Sequence, residues 1–202
     1  MDRGSGAAGG VLDPLVARVL ATYPYVFTLP GTADERAVGY RIRFEAAVAQ
    51  GWEPPPGADG LERDRYDDAA VQVVGWFEDE PVSTGRLVLP PSSLPTEDEC
   101  ALRVPPVGEV VEVGRMAVVR AHQAYHHAAF VGLLCRLYLE MRERGFDVAC
   151  GMMSPRTRGL VRLLGLNLEV LGPDRRYWAE ERAPVRFTLT ANQDTLRERW
   201  DG

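Results

Sequence analysis

Two charged residues stand inside the most strand-like segment of this chain, and they constrain its fold more than any other feature. Residues 109–119 form a valine-rich run that is typical of a buried strand, yet Glu112 and Arg115 lie within it. Burying a charge is costly unless that charge is paired. We therefore expect both side chains to meet charged partners or a charged ligand, with a purely structural ion pair between them as the alternative.

Other charges stand in similar surroundings. Arg86 lies inside a second apolar strand pattern, residues 82–89, and three carboxylates fall within residues 62–67. Because charges of both signs in apolar strands need partners, we expect one cluster on one side of a sheet. Its members would be Arg43, Glu62, Asp64, Asp67, Arg86 and Arg115. The alternative, which composition alone does not exclude, is that residues 62–67 form only a solvated acidic loop.

The order of predicted elements is that of an α/β (α+β) fold with a mixed sheet and helices on both faces. Helices are predicted to start at Asp13-Pro14, at a Thr32–Glu35 capping box, near Phe130 and at Ser154-Pro155. Strands are predicted at residues 25–29, 71–78, 82–89, 109–119, 147–151, 166–171 and 185–189. The proline-punctuated segment 90–106 is predicted to be a lid or a mobile loop.

We predict one domain over residues 25–202, preceded by a tail and short helix in residues 1–24. A net charge of −6 argues against nucleic acid as a partner. The chain has no apolar run long enough to span a bilayer and no secretory signal pattern, which predicts a cytoplasmic location. The three cysteines are far apart and are expected to be reduced, and no metal site is predicted.

An ordered set of short motifs gives the chain a family resemblance. Arg43, Trp52, the Glu62-x-Asp64-x-x-Asp67 run, Arg86-Leu87 and Glu112-Val-Gly-Arg115 follow one another in the chain. In this order they resemble the acyl-homoserine-lactone synthases and the N-acyl amino acid synthases, a branch of the GNAT superfamily. The resemblance covers roughly residues 25–190, and it departs from the usual pattern at Ala47 and Gly114. It implies a mainly antiparallel GNAT-like sheet and transfer of an acyl group to an amine.

The resemblance also implies a donor, an acyl-phosphopantetheine thioester carried by acyl carrier protein or by CoA. GNAT enzymes that use acetyl-CoA typically have a glycine-rich pyrophosphate loop after the key strand, whereas residues 120–127 contain no glycine. We therefore expect an acyl carrier protein partner. The residues expected to hold the donor are Val118, Arg120, Gln123 and His126, and those expected to face the acidic carrier are Arg156, Arg158 and Arg162.

Roles in catalysis follow from the same resemblance. Glu112 is the expected general base, directly or through a water, because an ammonium must lose a proton before its nitrogen can attack a thioester. Arg43, Arg86 and Arg115 are expected either to hold the carboxylate of an amino-acid acceptor or to orient the acidic loop. Trp52 and the three carboxylates of residues 62–67 complete the expected substrate site.

The expected activity is N-acyl transfer to an amino acid or a related small amine. Three alternatives remain open from the sequence. They are an acyl-homoserine-lactone synthase that uses S-adenosylmethionine, an acetyl-CoA-dependent N-acetyltransferase, and a non-catalytic GNAT-like binding module. A lactone or N-acyl amino acid synthase further implies a deep apolar channel for the acyl chain.

One geometric expectation concerns the key strand. Residues three apart in a regular strand point to opposite faces, so Glu112 and Arg115 could not share a site on a flat ladder. Glycine tolerates the backbone angles of a bulge, and a bulge returns the second side chain to the face of the first. We therefore predict a β-bulge between Glu112 and Val118, made possible by Gly114.

Overall fold

The computed structural model describes residues 12–52, 59–123 and 127–200. Within them the chain forms six α-helices and eight strands, with short 3-10 turns at Asp67–Ala69 and Arg120–His122. In chain order the elements are α1 (Asp13–Thr22), β1 (Tyr25–Thr28), α2 (Ala33–Ala49), β2 (Ala70–Phe77), β3 (Glu80–Val88), α3 (Pro95–Cys100), β4 (Val110–Val118), α4 (Ala128–Glu143), β5 (Val148–Met153), α5 (Pro155–Leu163), β6 (Glu169–Val170), β7 (Arg175–Tyr177), β8 (Glu180–Thr188) and α6 (Leu189–Trp200).

The strands form one mixed sheet with the order β1-β2-β3-β4-β5-β8-β6, and β7 pairs with β8 beside it. Every pairing is antiparallel except that of β4 with β5. A parallel pair needs a long crossover connection, which α4 supplies here. The predicted fold class, a mixed and mainly antiparallel sheet with helices, is confirmed.

Helices α2 and α4 cover opposite faces of the sheet. A Cβ atom added to Gly39 of α2 would strike Thr84 of β3, whereas one added to Gly85 would contact Leu133 and Leu137 of α4. Adjacent residues of a strand point to opposite faces. The sheet therefore has an α2 face and an α4 face, and these names are kept below.

The main apolar core lies on the α4 face. Val73, Leu87 and Val113 of the central strands are buried there against Leu137 and Met141 of α4. Leu137 and Met141 stand four residues apart, so they lie on one side of the helix and pack on the sheet together. The apolar repeat of Leu137 and Met141 along α4 thus contributes directly to the core.

Helix α2 begins at the capping box expected from the sequence. The Glu35 amide donates to Thr32 Oγ1 at 3.2 Å, and the Thr32 amide donates to Glu35 Oε2 at 3.2 Å. These bonds satisfy two amides that the first helical turn leaves without intrahelical partners. The start of the helix that carries Arg43 is therefore fixed locally.

Several regions differ from the predictions, among them strand β7 and the first half of β8, which were not predicted. The segment 90–106 is not a lid or a mobile loop, because it contains α3 and buries Leu94 and Val104 in a second apolar cluster. The last predicted strand ends at Thr188, and the unpredicted helix α6 follows it. Helix α6 has a mostly polar sequence without a clear apolar stripe, and Asp147 anchors it by accepting hydrogen bonds from the amide and hydroxyl of Thr190.

Helix α1 packs against α4, and Asp13 accepts a hydrogen bond from Tyr138 at 3.1 Å and pairs with Arg142 at 3.0 Å. Among the residues that the structure describes, no helix is both long and apolar enough to cross a bilayer. The domain boundary at residue 25 stays a prediction.

Candidate active site

Arg43 joins α2 to the acidic segment, residues 62–67. Its Nη1 and Nη2 atoms donate to Asp67 at 2.7 and 3.1 Å, and its Nε donates to Glu62. Arg43 is only 5% exposed and Glu62 only 1% exposed. Such a buried, two-pronged contact fixes both the position and the plane of the guanidinium.

Arg86 and Arg115 approach the same segment from the sheet. Arg86 donates to both carboxylate oxygens of Asp64, at 2.6 and 3.0 Å, and to Asp67 at 2.8 Å. Arg115 donates to Asp64 at 2.9 Å, and its Nε lies 3.3 Å from Glu62. The predicted convergence of these charges is confirmed, and the solvated-loop interpretation of the acidic segment is wrong.

The network is balanced, with three guanidinium groups facing three carboxylates. Burial alone would raise the pKa of Asp64, but hydrogen bonds from Arg86 and the charges of Arg86 and Arg115 hold it below the usual range. The Asp64 carboxylate conversely raises the pKa of Arg86 against the effect of burial. The three arginines thus pair with the acidic segment, and their roles toward a substrate stay predictions.

Strand β4 contains the predicted bulge, although at a different residue. Arg86 pairs with Gly114 and Thr84 pairs with Ala117, so Arg115 and Met116 together stand opposite Gly85 alone. Arg115 itself takes the left-handed conformation, with φ of 51°, and Gly114 keeps a negative φ in the ladder. The expectation that Gly114 supplies the unusual backbone angles is therefore wrong.

The bulge has a cost and a benefit. A residue other than glycine in the left-handed region costs on the order of 1–2 kcal/mol. In return, the extra residue turns Arg115 toward the acidic segment, where it reaches the same Asp64 that Arg86 holds. Two ionic partners, Glu62 and Asp64, and the hydroxyl of Tyr177 then hold the strained residue in place.

The parallel pairing of β4 with β5 stops just before the bulge. It covers residues 110–112 of β4, ending at the pair Glu112 and Cys150, whereas β4 itself continues to Val118. Beyond this point β5 keeps pairing with β8 on its other side. The two strands therefore separate at Glu112, and backbone amides beyond it are no longer used in that ladder.

Glu112 stands at this fork and lies outside the balanced network. It is 4% exposed, and its Oε2 accepts a hydrogen bond from the Thr96 amide at 2.7 Å. Burial raises the pKa of Glu112 to about 7, and the Thr96 amide and the charges of Arg86 and Arg115 offset only part of that rise. A carboxylate with a pKa near neutrality is suited to both accepting and returning a proton.

Open space lies beside the second oxygen of Glu112. A Cβ atom added to Gly114 would stand 3.9 Å from Oε1 of Glu112 and would meet nothing else within 4 Å. On the neighbouring strand, a Cβ atom added to Gly151 would strike the carbonyl oxygen of Val113 at 2.6 Å. The fork is thus tightly packed at β5, whereas at Gly114 an added carbon atom would meet only Glu112 within 4 Å.

An apolar pocket lies on the opposite, α4 face of the same strand. Val113, the neighbour of Glu112, lines it together with Leu137, Phe187 and Leu196, and its volume is about 110 Å³. Its walls come from α1, β4, α4, β8, α6 and the segment before β6, and all of the lining side chains are apolar or aromatic apart from Cys135 and the hydroxyl of Tyr138. Strand β4 therefore separates an apolar cavity from a charged site.

An aromatic layer lies on the network; the sequence predicted its member Trp52 as a site residue but did not reveal Trp178. The guanidinium carbon of Arg115 lies 4.6 Å from the ring centre of Trp178, and the rings of Trp178 and Trp52 meet edge to face at 6.2 Å. Trp178 and Ala179 form the two-residue turn between β7 and β8, with φ of 54° and 58°. This turn type favours asparagine and glycine, so its sequence gave no hairpin signal.

The residues expected to hold the donor lie at the end of β4. The Gln123 side chain donates to the Val118 carbonyl oxygen at 2.8 Å and so folds the short turn after β4 back on the strand. Arg120 and Gln123 are exposed. His126 lies outside the described residues, and the donor-binding roles of all four residues stay predictions.

The three arginines expected to face a carrier protein do not share one side of α5. Successive helical residues are rotated by about 100°, so Arg158 and Arg162 lie about 40° apart while Arg156 points to another side. Arg158 is also paired with Asp174 through two contacts of 2.7 and 3.1 Å. Arg156 and Arg162 are exposed, and the carrier surface stays a prediction.

No protein-family model and no curated protein matches this sequence. Solved structures do match. The acyl-homoserine-lactone synthase LasI superposes with a TM-score of 0.72 at 13% identity, covering 86% of this chain and 95% of that one. FeeM, an N-acyl amino acid synthase from uncultured soil microbes, gives 0.66 at 15% identity over 88% and 98% of the two chains. BjaI, a CoA-dependent acyl-homoserine-lactone synthase solved with SAM and isopentyl-CoA, gives 0.66 at 20% identity over 83% and 82%.

The chain has the fold of these acyl-transferring synthases. The resemblance predicted from the ordered motifs is thus confirmed at the level of the fold. At sequence identities of 13 to 20%, the structural likeness shows a shared fold and no further property. The activity therefore has to be argued from the residues of this chain.

Proposed function

We propose that this protein is an N-acyltransferase that moves an acyl group from a phosphopantetheine thioester to the amine of an amino acid or a related small molecule. The observation that carries the proposal is Glu112. It is a buried carboxylate with a pKa of about 7, placed where β4 and β5 separate. A buried carboxylate with this pKa, beside the space at Gly114 and the end of the β4–β5 pairing, is suited to act as a general base rather than as half of an ion pair.

The reaction follows from this placement. The amine nitrogen attacks the thioester carbonyl carbon, the C–N bond forms, the C–S bond breaks, and the thiol leaves. Glu112 takes the proton that the nitrogen loses, and the same carboxyl group can return it to the departing sulfur. Backbone amides beyond Glu112, released from the β4–β5 ladder, supply donors for the developing oxyanion.

The two faces of β4 supply the two substrates with separate sites. The acceptor amine is placed on the α2 face with Glu112, and the acyl chain extends into the apolar pocket on the α4 face. An engineered cavity of about 150 Å³ holds one benzene molecule. The pocket of about 110 Å³ therefore suits a short acyl chain of roughly four to six carbons.

The donor is proposed to be acyl carrier protein rather than CoA. The support is the absence of glycine from residues 120–127 and the exposed arginines Arg120, Arg156 and Arg162 of the described surface. The comparison with CoA-dependent BjaI keeps acyl-CoA as the other donor to be tested.

A second candidate is an acyl-homoserine-lactone synthase that uses S-adenosylmethionine as the acceptor. The fold comparisons with LasI and BjaI favour it, and BjaI was solved with SAM. The two candidates share the acylation step and differ in the acceptor and in ring closure after transfer.

One experiment separates these functions. The purified protein is mixed with acyl carrier protein and CoA thioesters of graded length and a pool of amino acids plus S-adenosylmethionine, and the products are identified by mass spectrometry. An N-acyl amino acid supports the first function and an acyl-homoserine lactone the second. Absence of any N-acyl product with every donor, while the protein stays folded, contradicts both.

A further inference from the structure

Each arginine of the network already has carboxylate partners. Arg43, Arg86 and Arg115 each pair with carboxylates of residues 62–67, and each of the three is largely buried. A carboxylate on the acceptor would have to displace one of these partners. Leaving a buried carboxylate unpaired costs several kcal/mol. An acceptor with a carboxylate therefore needs a different cation.

Arg182 of β8 is such a cation. Its guanidinium carbon lies 4.9 Å from the ring centre of Trp52 and 5.7 Å from that of Tyr177. The hydroxyl of Tyr177 is 3.3 Å from Nη1 of Arg115, and Trp52 contacts the Trp178 ring that covers Arg115. Arg182 thus borders the network through two aromatic side chains.

The charge of Arg182 is poorly compensated. Within the described part of the chain its carboxylate partner is Glu180, 3.2 Å away on the same strand, with a side chain that is 38% exposed. Exposed pairs of this kind contribute little. The Nε of Arg182 is buried without a hydrogen-bond acceptor among the described residues. Burial lowers the pKa of Arg182, and Glu180 offsets only part of that effect.

We propose that Arg182 binds the carboxylate of the acceptor substrate, an inference that rests on the proposed acyl transfer. Stacking by Trp52 and Tyr177 fixes the plane of the guanidinium, which leaves its edge free to donate two parallel hydrogen bonds. An anion there neutralises a guanidinium whose carboxylate partner among the described residues, Glu180, is partly exposed. The acceptor class is therefore an α-amino acid or a derivative that keeps its carboxylate.

Matched acceptors test this inference. Each amino acid is compared with its primary amide, and S-adenosylmethionine with its decarboxylated form, as acceptors for the wild-type protein and for Arg182→Met. The expected result is a loss of roughly 10- to 100-fold in kcat/KM for the carboxylate acceptors, mainly through KM, because a charge-assisted pair is removed. The rates with the amides should stay within about twofold.

Two variants serve as controls. Arg182→Lys keeps the charge without the two-pronged edge, so it should recover part of the preference for carboxylates. Glu180→Gln removes the competing rim carboxylate, so it should strengthen that preference. A similar loss on acids and amides in Arg182→Met would overturn the proposal and assign Arg182 a structural role.

A binding measurement separates this inference from the proposed function. Trp52 adjoins Arg182, so the same acceptor pairs are titrated without any donor while tryptophan fluorescence is followed. Tighter binding of the acid than of the amide, lost in Arg182→Met, supports Arg182 even if no acyl transfer is found. Equal binding of the two by the wild-type protein contradicts the inference even if transfer occurs.

Discussion

The two faces of the sheet at β4 are stabilised by different interactions, apolar packing on one and ionic hydrogen bonds on the other. On the α4 face, Val113 packs on Leu137 and its neighbours, and apolar contacts of this kind tolerate changes of shape. On the α2 face, the arginines of the network have particular carboxylate partners that lie 19 to 53 residues away in the chain. The proposed chemistry therefore lies on the face where each charged group has its own partners. Glu112, on that face, is paired with no arginine of the described chain.

The largest expected effect comes from breaking the charged face. Replacing Arg86 with Met leaves Asp64 and Asp67 without one of their buried partners. Removal of one member of a buried ion-pair network typically costs about 3–5 kcal/mol. We expect a loss of this size in the free energy of unfolding, measured by urea denaturation monitored by circular dichroism.

Arg158→Met is the matched control for that variant. Arg158 also makes a two-pronged pair with an aspartate, Asp174, but that aspartate is exposed. The loss of stability should be much smaller than for Arg86→Met, and 1 M salt should reduce it further. Equal losses in the two variants would show that burial of the network does not decide its contribution.

The next effect concerns Glu112. Glu112→Gln keeps the shape of the side chain and an acceptor for the Thr96 amide but removes the base. Turnover should fall by at least about 100-fold, the lower end for the loss of a general base. The wild-type rate should rise with pH and level off above about 7, the pKa of Glu112, and the variant should lack this rise. A normal rate in the variant would mean that Glu112 is structural.

The same substitution should stabilise the protein at alkaline pH. The pKa of Glu112 is raised from 4.5 to about 7, so its proton is bound more tightly in the folded state. Its contribution to stability is therefore fully present below pH 4.5 and lost as the pH rises through about 7. At pH 8 the variant avoids burying a carboxylate and should gain roughly 3 kcal/mol, whereas at pH 4 the two proteins should unfold alike.

How much the sequence could predict differs between the two faces. The α4 face follows from local periodicity, because Leu137 and Met141 repeat at helical spacing beside strands rich in valine. The network was also predictable, since Arg86 and Arg115 are charges within apolar strands and buried charges need partners.

The remaining parts depend on contacts that no local pattern encodes. The amide that positions Glu112 comes from Thr96, in a segment whose prolines favoured a loop. The layer over Arg115 comes from Trp178, in a turn without the usual glycine or asparagine. The bulge was placed at Gly114 because glycine adopts such angles freely, whereas tertiary contacts force them on Arg115.

A smaller effect is expected on the apolar face. Leu196 of α6 lines the pocket and is only partly buried, so Leu196→Ala enlarges the cavity with limited harm to the fold. The preferred acyl chain should lengthen by about one to three carbons, measured by mass spectrometry with a graded mixture of donors. Leu163→Ala, at an exposed residue that does not line the pocket, should change neither chain length nor rate. An unchanged preference in Leu196→Ala would place the acyl chain elsewhere.

The smallest effect tests the turn that brings the aromatic layer to the charged face. Ala179 adopts φ of 58°, a conformation that glycine reaches without steric cost. Ala179→Gly should therefore stabilise the protein by about 0.5–1 kcal/mol, since relief of strain outweighs the greater freedom of glycine in the unfolded chain, and turnover should not change. Trp178→Gly relieves the same kind of strain but removes the ring over Arg115, so it should lower both stability and turnover. Thermal melts and initial rates of the two variants test this expectation. If both variants raise the melting temperature and keep the wild-type rate, the turn contributes only its backbone. If Ala179→Gly is stabilised while Trp178→Gly loses stability and turnover, the strain of the turn is maintained to hold Trp178 on Arg115.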